Sequence, residues 1–275
     1  MVVTRTDYNQ IAVNAAYSVL IEIVRVLGDY RNNIVLIGGW VPQILFQNKD
    51  EPHTGSIDID LAFDHRQITD EGYKGIHDLL MDRGYRQGKQ PFIFHRTVKI
   101  EGFEVSVQVD LLSGEYEGTG KSHRHQKIQE IRTRKVRGCD LAFNNPIELT
   151  IEGNLPGGAK DSVVLKVASI VSFLIMKAIV LDDRLKEKDA YDIYYCLKQY
   201  SDKIEDLVAE FEPHLENSLI QEGLAKLAKN FETVDHTGPK FVAAFEEVTD
   251  EEDRTLLERD AFERANYLLQ KLGIV

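Results

Sequence analysis

The chain has 275 residues, of which 43% are hydrophobic and 28% charged. These values are ordinary for a globular protein of one large domain or two small ones. A net charge of -12 argues against a general nucleic-acid coat or a membrane-surface protein, although it allows a local basic groove. Two cysteines are too few for a disulfide framework or a cysteine zinc site. No signal-peptide pattern opens the chain, and its most apolar stretch is too short to span a bilayer, which takes about 20 residues. We therefore expect a cytoplasmic protein that does not use a membrane.

The first half of the chain alternates between helical and strand periodicity. Two glycines follow an apolar strand at 34–37, and Glu101-Gly102 has the composition of a hairpin turn. The predicted helices are 8–27, 40–46 and 67–83. The predicted strands are 34–37, 57–63, 92–100, 103–112, 135–136 and 147–151.

The second half is predicted to be helical. We interpret Pro156-Gly157-Gly158 as a domain boundary. The helices expected beyond it are 162–181, 188–200, 204–211, 219–231, 241–247 and 254–272. The sequence thus predicts an α+β protein, with a sheet and flanking helices at 1–157 followed by a helical bundle at 158–275.

Asp58 and Asp60 are the most informative residues of the predicted strands. Alternate residues of a strand share a face, so both carboxylates project together while the apolar residues between them face a core. Two like charges this close need a counter-ion, and oxygen ligands suit Mg²⁺. Upstream, Gly38 and Gly39 form a turn whose backbone N–H groups can approach a phosphate. The alternative is a pair of solvated aspartates at the end of a strand.

A third carboxylate, Asp110, ends a strand in which valines alternate with polar residues. Asp110 should therefore share a face with Ser106 and Gln108. If this strand lies beside the one bearing Asp58 and Asp60, three carboxylates converge. Such a cluster suits metal-assisted nucleotidyl transfer with two Mg²⁺ ions and a nucleoside triphosphate as substrate. Asp110 would then bind the second ion or act as the base.

The order Gly38-Gly39-Trp40, then Ser56-x-Asp58-x-Asp60, resembles the nucleotidyltransferase superfamily of the DNA polymerase β type. This resemblance implies a mixed sheet whose Gly-Gly turn binds the triphosphate and whose paired aspartates bind magnesium. The gap between the two motifs is longer than usual in that family. Trp40 also stands where a small hydroxyl residue is common. A Gly-Gly-Trp variant occurs in antibiotic-modifying nucleotidyltransferases, which would act on an aminoglycoside-like small molecule.

The helical half sharpens the resemblance. Lys177, Asp183-Arg184 and the run from Lys188 to Ile193 are similar to motifs of the AbiEii/AbiGii-type toxin nucleotidyltransferases. That similarity implies that the helical domain closes over the nucleotide and that the acceptor is RNA, such as a tRNA end, or a protein. It also implies growth inhibition, in a toxin–antitoxin or abortive-infection system, and a cognate antitoxin. The functional residues it implies are Ser56, Asp58, Lys177 and Asp189, with Asp60 as a second metal ligand.

The residues themselves leave several roles open. Lys177 follows ten apolar or small residues, so it should be buried and need an anionic partner. That partner is either the triphosphate or an aspartate, Asp189 or Asp192. Arg184 could bind phosphate or lie exposed at a helix end, and Ser56 could donate to a phosphate or cap a turn.

Basic residues are concentrated in one segment. From Arg83 to Arg137 there are twelve Lys or Arg against six acids. Phe92, Phe94, Phe103 and Tyr116 lie in the same segment, and basic and aromatic side chains together can bind single-stranded nucleic acid. The alternative is that the phenylalanines belong to the core and the charges to a solvated face. A third hypothesis is a nucleotide-binding module without catalysis, although all three carboxylates are present.

Overall fold

A computed structural model describes residues 4–64, 66–114, 133–200 and 204–275. The chain divides into two compact units. The sheet unit contains Asn9–Ile44 and Gly55–Ser169. The helical unit contains the residues up to Tyr8, Leu45–Thr54 and Ile170–Val275. The chain therefore leaves the sheet unit at Leu45 and re-enters it at Gly55.

Within the described residues, the sheet unit holds one mixed eight-stranded sheet. Its spatial order is β3-β4-β5-β2-β1-β8-β7, and β6 pairs with β5. β2 runs parallel to β5 and antiparallel to β1. The strands are β1 Ile34–Ile37, β2 Asp58–Phe63, β3 Arg86–Gln87, β4 Ile93–Ile100, β5 Phe103–Ser113, β6 Arg134–Lys135, β7 Ile147–Asn154 and β8 Lys160–Val167.

Helix α1, Gln10–Val26, packs against β4, β5, β7 and β8. Its start is fixed by Asn9, whose side chain accepts a hydrogen bond from the N–H of Ala12, a common N-cap arrangement. The same unit contains α2 Trp40–Leu45 and α3 Asp70–Asp82, with a short 3₁₀ helix at Cys139–Phe143. The predicted hairpin is confirmed, since β4 and β5 pair across Glu101 and Gly102. Both turn residues have positive φ, as the two-residue hairpin turns that match strand twist require.

The prediction of one helix over 162–181 is wrong. Lys160–Val167 is strand β8, and the helix begins only at Ile170. Val163, Leu165 and Val167 are buried while the residues between them are more exposed, the two-residue alternation of a strand. Pro156-Gly157-Gly158 is consequently the turn between β7 and β8. The sheet unit extends to Ser169, beyond the boundary predicted at 157.

The helical unit is built around α4, whose apolar residues are almost all buried. α4 packs on α5 and α7, α5 packs on α8 and α9, and α8 packs on α9. The helices are α4 Ile170–Arg184, α5 Glu187–Gln199, α6 Ile204–Phe211, α7 Ser218–Asn230, α8 Thr237–Phe245 and α9 Glu251–Lys271.

The predicted fold class is confirmed: a mixed sheet with flanking helices in the first part of the chain and helices in the C-terminal part. None of the helices in the described ranges combines the length and apolar character needed to cross a membrane.

Candidate active site

The register between β2 and β5 brings the predicted carboxylates together. Asp60 lies directly beside Asp110, and Asp58 beside Gln108. Neighbouring residues of paired strands point to the same face, about 4.8 Å apart between strands. All three aspartates are half-buried, whereas Ile59, Val109 and Leu111 are buried on the opposite face. The strand that carries Asp110 therefore lies beside the one that carries Asp58 and Asp60, which is the condition the sequence set for their convergence.

The glycine turn lies against this carboxylate cluster. Gly38 has φ +71°, and a Cβ added there would stand 2.0 Å from Oδ2 of Asp60. A Cβ added to Gly39 would stand 2.7 Å from Oγ of Ser56. Both spacings are impossible for any residue with a side chain unless its neighbours move. Gly38 and Gly39 thus allow the backbone to approach Asp60 and Ser56 closely.

Trp40 supports the backbone of Asp58. It is fully buried, and its Nε1–H donates to the carbonyl oxygen of Asp58 at 2.8 Å. Its indole ring also packs on Tyr17, with 5.4 Å between ring centroids. In the sequence, Trp40 stands where a small hydroxyl residue is common in the similar family and belongs to the Gly-Gly-Trp variant. The hydrogen bond from Trp40 to the backbone of Asp58 could not be inferred from the sequence, because the accepting carbonyl is eighteen residues away.

Two of the carboxylates accept hydrogen bonds from neighbouring polar side chains. Ser56 Oγ donates to Oδ1 of Asp58 at 2.6 Å, and Gln108 Nε2 donates to Oδ1 of Asp110 at 2.9 Å. Burial raises the pKa of Asp110, and the charge of Asp58 raises it further, against the opposing effects of Gln108, Arg134 and His95. Ser56 therefore contacts a carboxylate, which is neither of the two roles considered from the sequence.

The donor set of this cluster suits a hard cation, since it consists of carboxylate oxygens on one face of the sheet. In the arrangement of the described residues, no three histidine, cysteine, aspartate or glutamate side chains are grouped as a complete metal site. The close approach of the Gly38 backbone to Asp60 and the proximity of Asp58 to Asp110 are the observations that favour a cation here. Metal binding by Asp58, Asp60 and Asp110 stays a prediction.

Lys177 is buried in the helical unit between two carboxylates. Its Nζ lies 2.8 Å from Oδ1 of Asp189 and 2.7 Å from Oδ2 of Asp192. Arg184 also binds Asp189, through Nε at 2.7 Å and Nη2 at 2.9 Å. Burial would raise the pKa of Asp189, but Lys177 and Arg184 together lower it. The aspartate alternative for Lys177 is thus observed, with both candidate aspartates as partners.

Sequence reasoning missed two further members of this buried cluster. His53 and Lys188 both contact Oδ1 of Asp192, His53 through Nε2 at 2.9 Å. Lys188 is also surrounded by the rings of Tyr8, Tyr191 and Phe245, 5.2–5.8 Å from its Nζ. The four-residue spacing of Lys188 and Asp192 was the only sequence signal for their pairing. Nothing in the sequence links either residue to His53.

The predicted site residues therefore form two groups. Gly38, Gly39, Ser56, Asp58, Asp60 and Asp110 lie together in the sheet unit. Lys177, Arg184 and Asp189 lie together in the helical unit.

The basic segment divides between the two faces of the sheet. Phe92 and Phe94 belong to the core, as the alternative interpretation held, whereas Phe103 is exposed. Arg83 and Arg96 both bind the buried carboxylate of Glu22, so their charges are used inside the sheet unit. Tyr116 lies outside the described residues.

Comparison with known proteins identifies no relative by sequence. No family model matches the chain, and no curated protein matches it. Among solved structures, the chain aligns with a STING-associated CdnE c-di-GMP synthase from Capnocytophaga granulosa at 12% identity. The alignment covers 95% of this chain and 82% of that one, with a TM-score of 0.26.

Proposed function

We propose that the protein is a magnesium-dependent nucleotidyltransferase. It would transfer a nucleoside monophosphate from a nucleoside triphosphate to a hydroxyl group of an RNA or protein acceptor, with release of pyrophosphate. The observation that carries the proposal is the β2–β5 register, which sets Asp58, Asp60 and Asp110 on one face beside a turn that only glycine fits.

Different residues of the sheet unit would have different roles in such a reaction. The backbone N–H groups at Gly38 and Gly39 would hold phosphate oxygens, because no side chain blocks the approach. Asp110 would take the proton of the acceptor hydroxyl at Oδ2, since Oδ1 accepts from Gln108. Its raised pKa makes it a stronger base than an ordinary aspartate. Trp40 and Ser56 would keep Asp58 in place.

Asp58 and Asp60 are the residues that would hold magnesium, and Asp110 would hold a second ion as the alternative to acting as the base. A magnesium ion bound there would neutralise triphosphate charge and stabilise the charge that develops on the leaving pyrophosphate.

Substitution of Asp58 tests the proposal. Asp58→Asn keeps size and shape but removes a carboxylate, so nucleotide transfer should fall to background while the fold persists. Asp78→Asn, an exposed aspartate of α3, is the matched control and should retain full transfer. Labelled triphosphates would be offered with total RNA, with a protein extract and with aminoglycosides. Full activity of Asp58→Asn, or wild-type label in none of these pools, would refute the mechanism.

The role of the helical unit is proposed from the motif resemblance. Arg184, with a half-exposed guanidinium held by Asp189, would bind phosphate, and Lys177 would hold Asp189 and Asp192 in position. By the same resemblance the protein would act as a toxin controlled by a cognate antitoxin. Expression that slows growth, with rescue by a neighbouring gene, is the expected result. Unaffected growth together with intact transfer activity would refute the toxin role alone.

A further inference from the structure

The face of the sheet that carries the three aspartates continues across β5, β4 and β3 as a polar surface. In register, His95 lies beside Gln108, Thr97 beside Ser106 and Lys99 beside Glu104. Arg86 of β3 lies beside His95, and Arg134 of β6 beside Leu112. These side chains share the face of Asp110, because directly paired residues point the same way. We call this the β3–β6 face, defined by Arg86, His95, Thr97, Lys99, Ser106 and Arg134.

Three basic side chains of the β3–β6 face lie at exposed positions. Arg86, Lys99 and Arg134 are exposed, and within the described ranges none of them forms an ion pair. Glu104 is the acid paired with Lys99 in the strand register, yet the two form no ion pair among the described residues. The other basic residues of β4 and the α3–β3 loop, Arg96 and Arg83, are held by Glu22. The same face carries Asp58, Asp60 and Asp110, which the proposed function assigns to magnesium and the reaction. In a chain with a net charge of -12, three exposed cations that form no ion pair among the described residues then favour an anionic ligand on this face.

We propose that the β3–β6 face binds the acceptor and that this acceptor is single-stranded RNA. This inference rests on the proposed nucleotidyl transfer. Arg134 is paired with Leu112, two residues beyond Asp110 along β5. Lys99 lies on β4, six residues from the position paired with Asp110, which is a distance of about 20 Å. The three cations therefore border an extended track that passes Asp110, suited to a run of phosphates rather than to one small cationic molecule.

The neutral side chains of the track favour RNA over DNA. Thr97 and Ser106 place two exposed hydroxyl groups side by side, which can hydrogen-bond to ribose 2′-hydroxyls. The rings of Phe92 and Phe94 are in the core, so they do not offer a stacking surface to bases. Recognition through phosphates and ribose should consequently depend little on base sequence.

The test compares two variants with equal loss of charge. The face variant is Arg86→Gln/Lys99→Gln/Arg134→Gln, and the control is Lys49→Gln/Lys74→Gln/Lys160→Gln at exposed positions. Binding of twelve-nucleotide RNA and DNA of the same sequence is measured by fluorescence anisotropy over a range of salt, without triphosphate or magnesium. The face variant should bind RNA on the order of tenfold more weakly. Its slope of log affinity against log salt should be shallower by about 2, from three lost contacts.

Each result decides the inference separately from the proposed function. If the face variant loses RNA binding and the control keeps it, the β3–β6 face is supported as the RNA-binding surface, even if the wild-type protein transfers no nucleotide. If both variants bind RNA equally, the β3–β6 face is not the RNA-binding surface, even if the wild-type protein labels RNA. DNA bound as tightly as RNA overturns the assignment to RNA.

Discussion

At the scale of single residues, Gly38 is the position where the glycine turn approaches the carboxylate cluster. Any Cβ at Gly38 must meet Asp60, and its φ of +71° is a conformation that L residues disfavour. Sequence reasoning gave the glycine turn one requirement, the close approach of backbone N–H groups to a phosphate. The structure adds a second requirement, because the carboxylate of Asp60 occupies the space that a side chain would fill.

The Gly38→Ala substitution separates these two requirements. It should reduce the free energy of unfolding by more than the 1–2 kcal/mol expected for a left-handed alanine, since it also displaces Asp60, and it should abolish transfer. Gly102→Ala is the matched control, because Gly102 has φ +89° with nothing within 4 Å of an added Cβ. That variant should lose only the unfolding free energy expected for a left-handed alanine, and it should keep full transfer activity. Urea unfolding and transfer assays measure both effects, and equal costs in the two variants would contradict the steric account.

His53 gives the helical unit a pH-dependent stability. Burial lowers the pKa of His53 to about 4, and the charge of Lys188 adds to this effect. The unfolded chain binds a proton at this histidine below about pH 6.5, whereas the folded protein binds it only below about 4. The stabilisation is therefore fully present above pH 6.5 and is lost as the pH falls towards 4.

The expected loss of unfolding free energy between pH 7.5 and pH 5 is on the order of 2 kcal/mol from this residue. His53→Gln keeps a side-chain donor for Asp192 but does not titrate. The variant should be less stable at pH 7.5 and should lose less stability on acidification. Urea unfolding followed by far-ultraviolet circular dichroism at both pH values measures the difference. A variant with the same pH dependence as the wild-type protein would show that His53 is not the titrating group.

At the scale of elements, α4 and α5 are joined by charges that packing has removed from water. Lys177 of α4 contacts two aspartates of α5, and all three side chains are at most 10% exposed. Ions buried in this way are costly unless every member is paired. The sequence indicated that Lys177 needs an anionic partner, but only the helix packing shows that both aspartates supply it.

Lys177→Met should therefore destabilise the helical unit by about 3–5 kcal/mol, because it leaves Asp189 and Asp192 with less positive charge. Lys198→Met on α5 is the control, since Lys198 pairs with Glu51 where the two side chains are 34% and 63% exposed. Such a surface pair contributes about 0–1 kcal/mol. Urea denaturation of both variants provides the comparison. Similar stabilities for the two would show that the buried cluster contributes no more than a surface ion pair.

At the scale of the whole molecule, the sequence predicted most elements and the fold class but misplaced the division between the halves. Short-range patterns sufficed for β1, β2 and the β4–β5 hairpin, because their alternation and turns are local. β8 was missed because only Lys166 and Ser169 separate its apolar residues from those of α4, and periodicity cannot separate two such segments. The association of Leu45–Thr54 with the helical unit has no local signal at all.

The position of β8 yields a prediction about where the chain can be divided. β8 lies between β1 and β7, and pairs with β7 over all eight of its residues. A fragment of residues 1–157 lacks this strand, so β7 loses its only partner in the sheet order and the edge of β1 is left unpaired. A fragment of residues 1–169 keeps every strand of the sheet order. In amide-proton NMR spectra, the longer fragment should show the dispersion of a folded sheet and the shorter one should not. Equal dispersion in both would mean that β8 is dispensable and that the sequence-predicted boundary is the physical one.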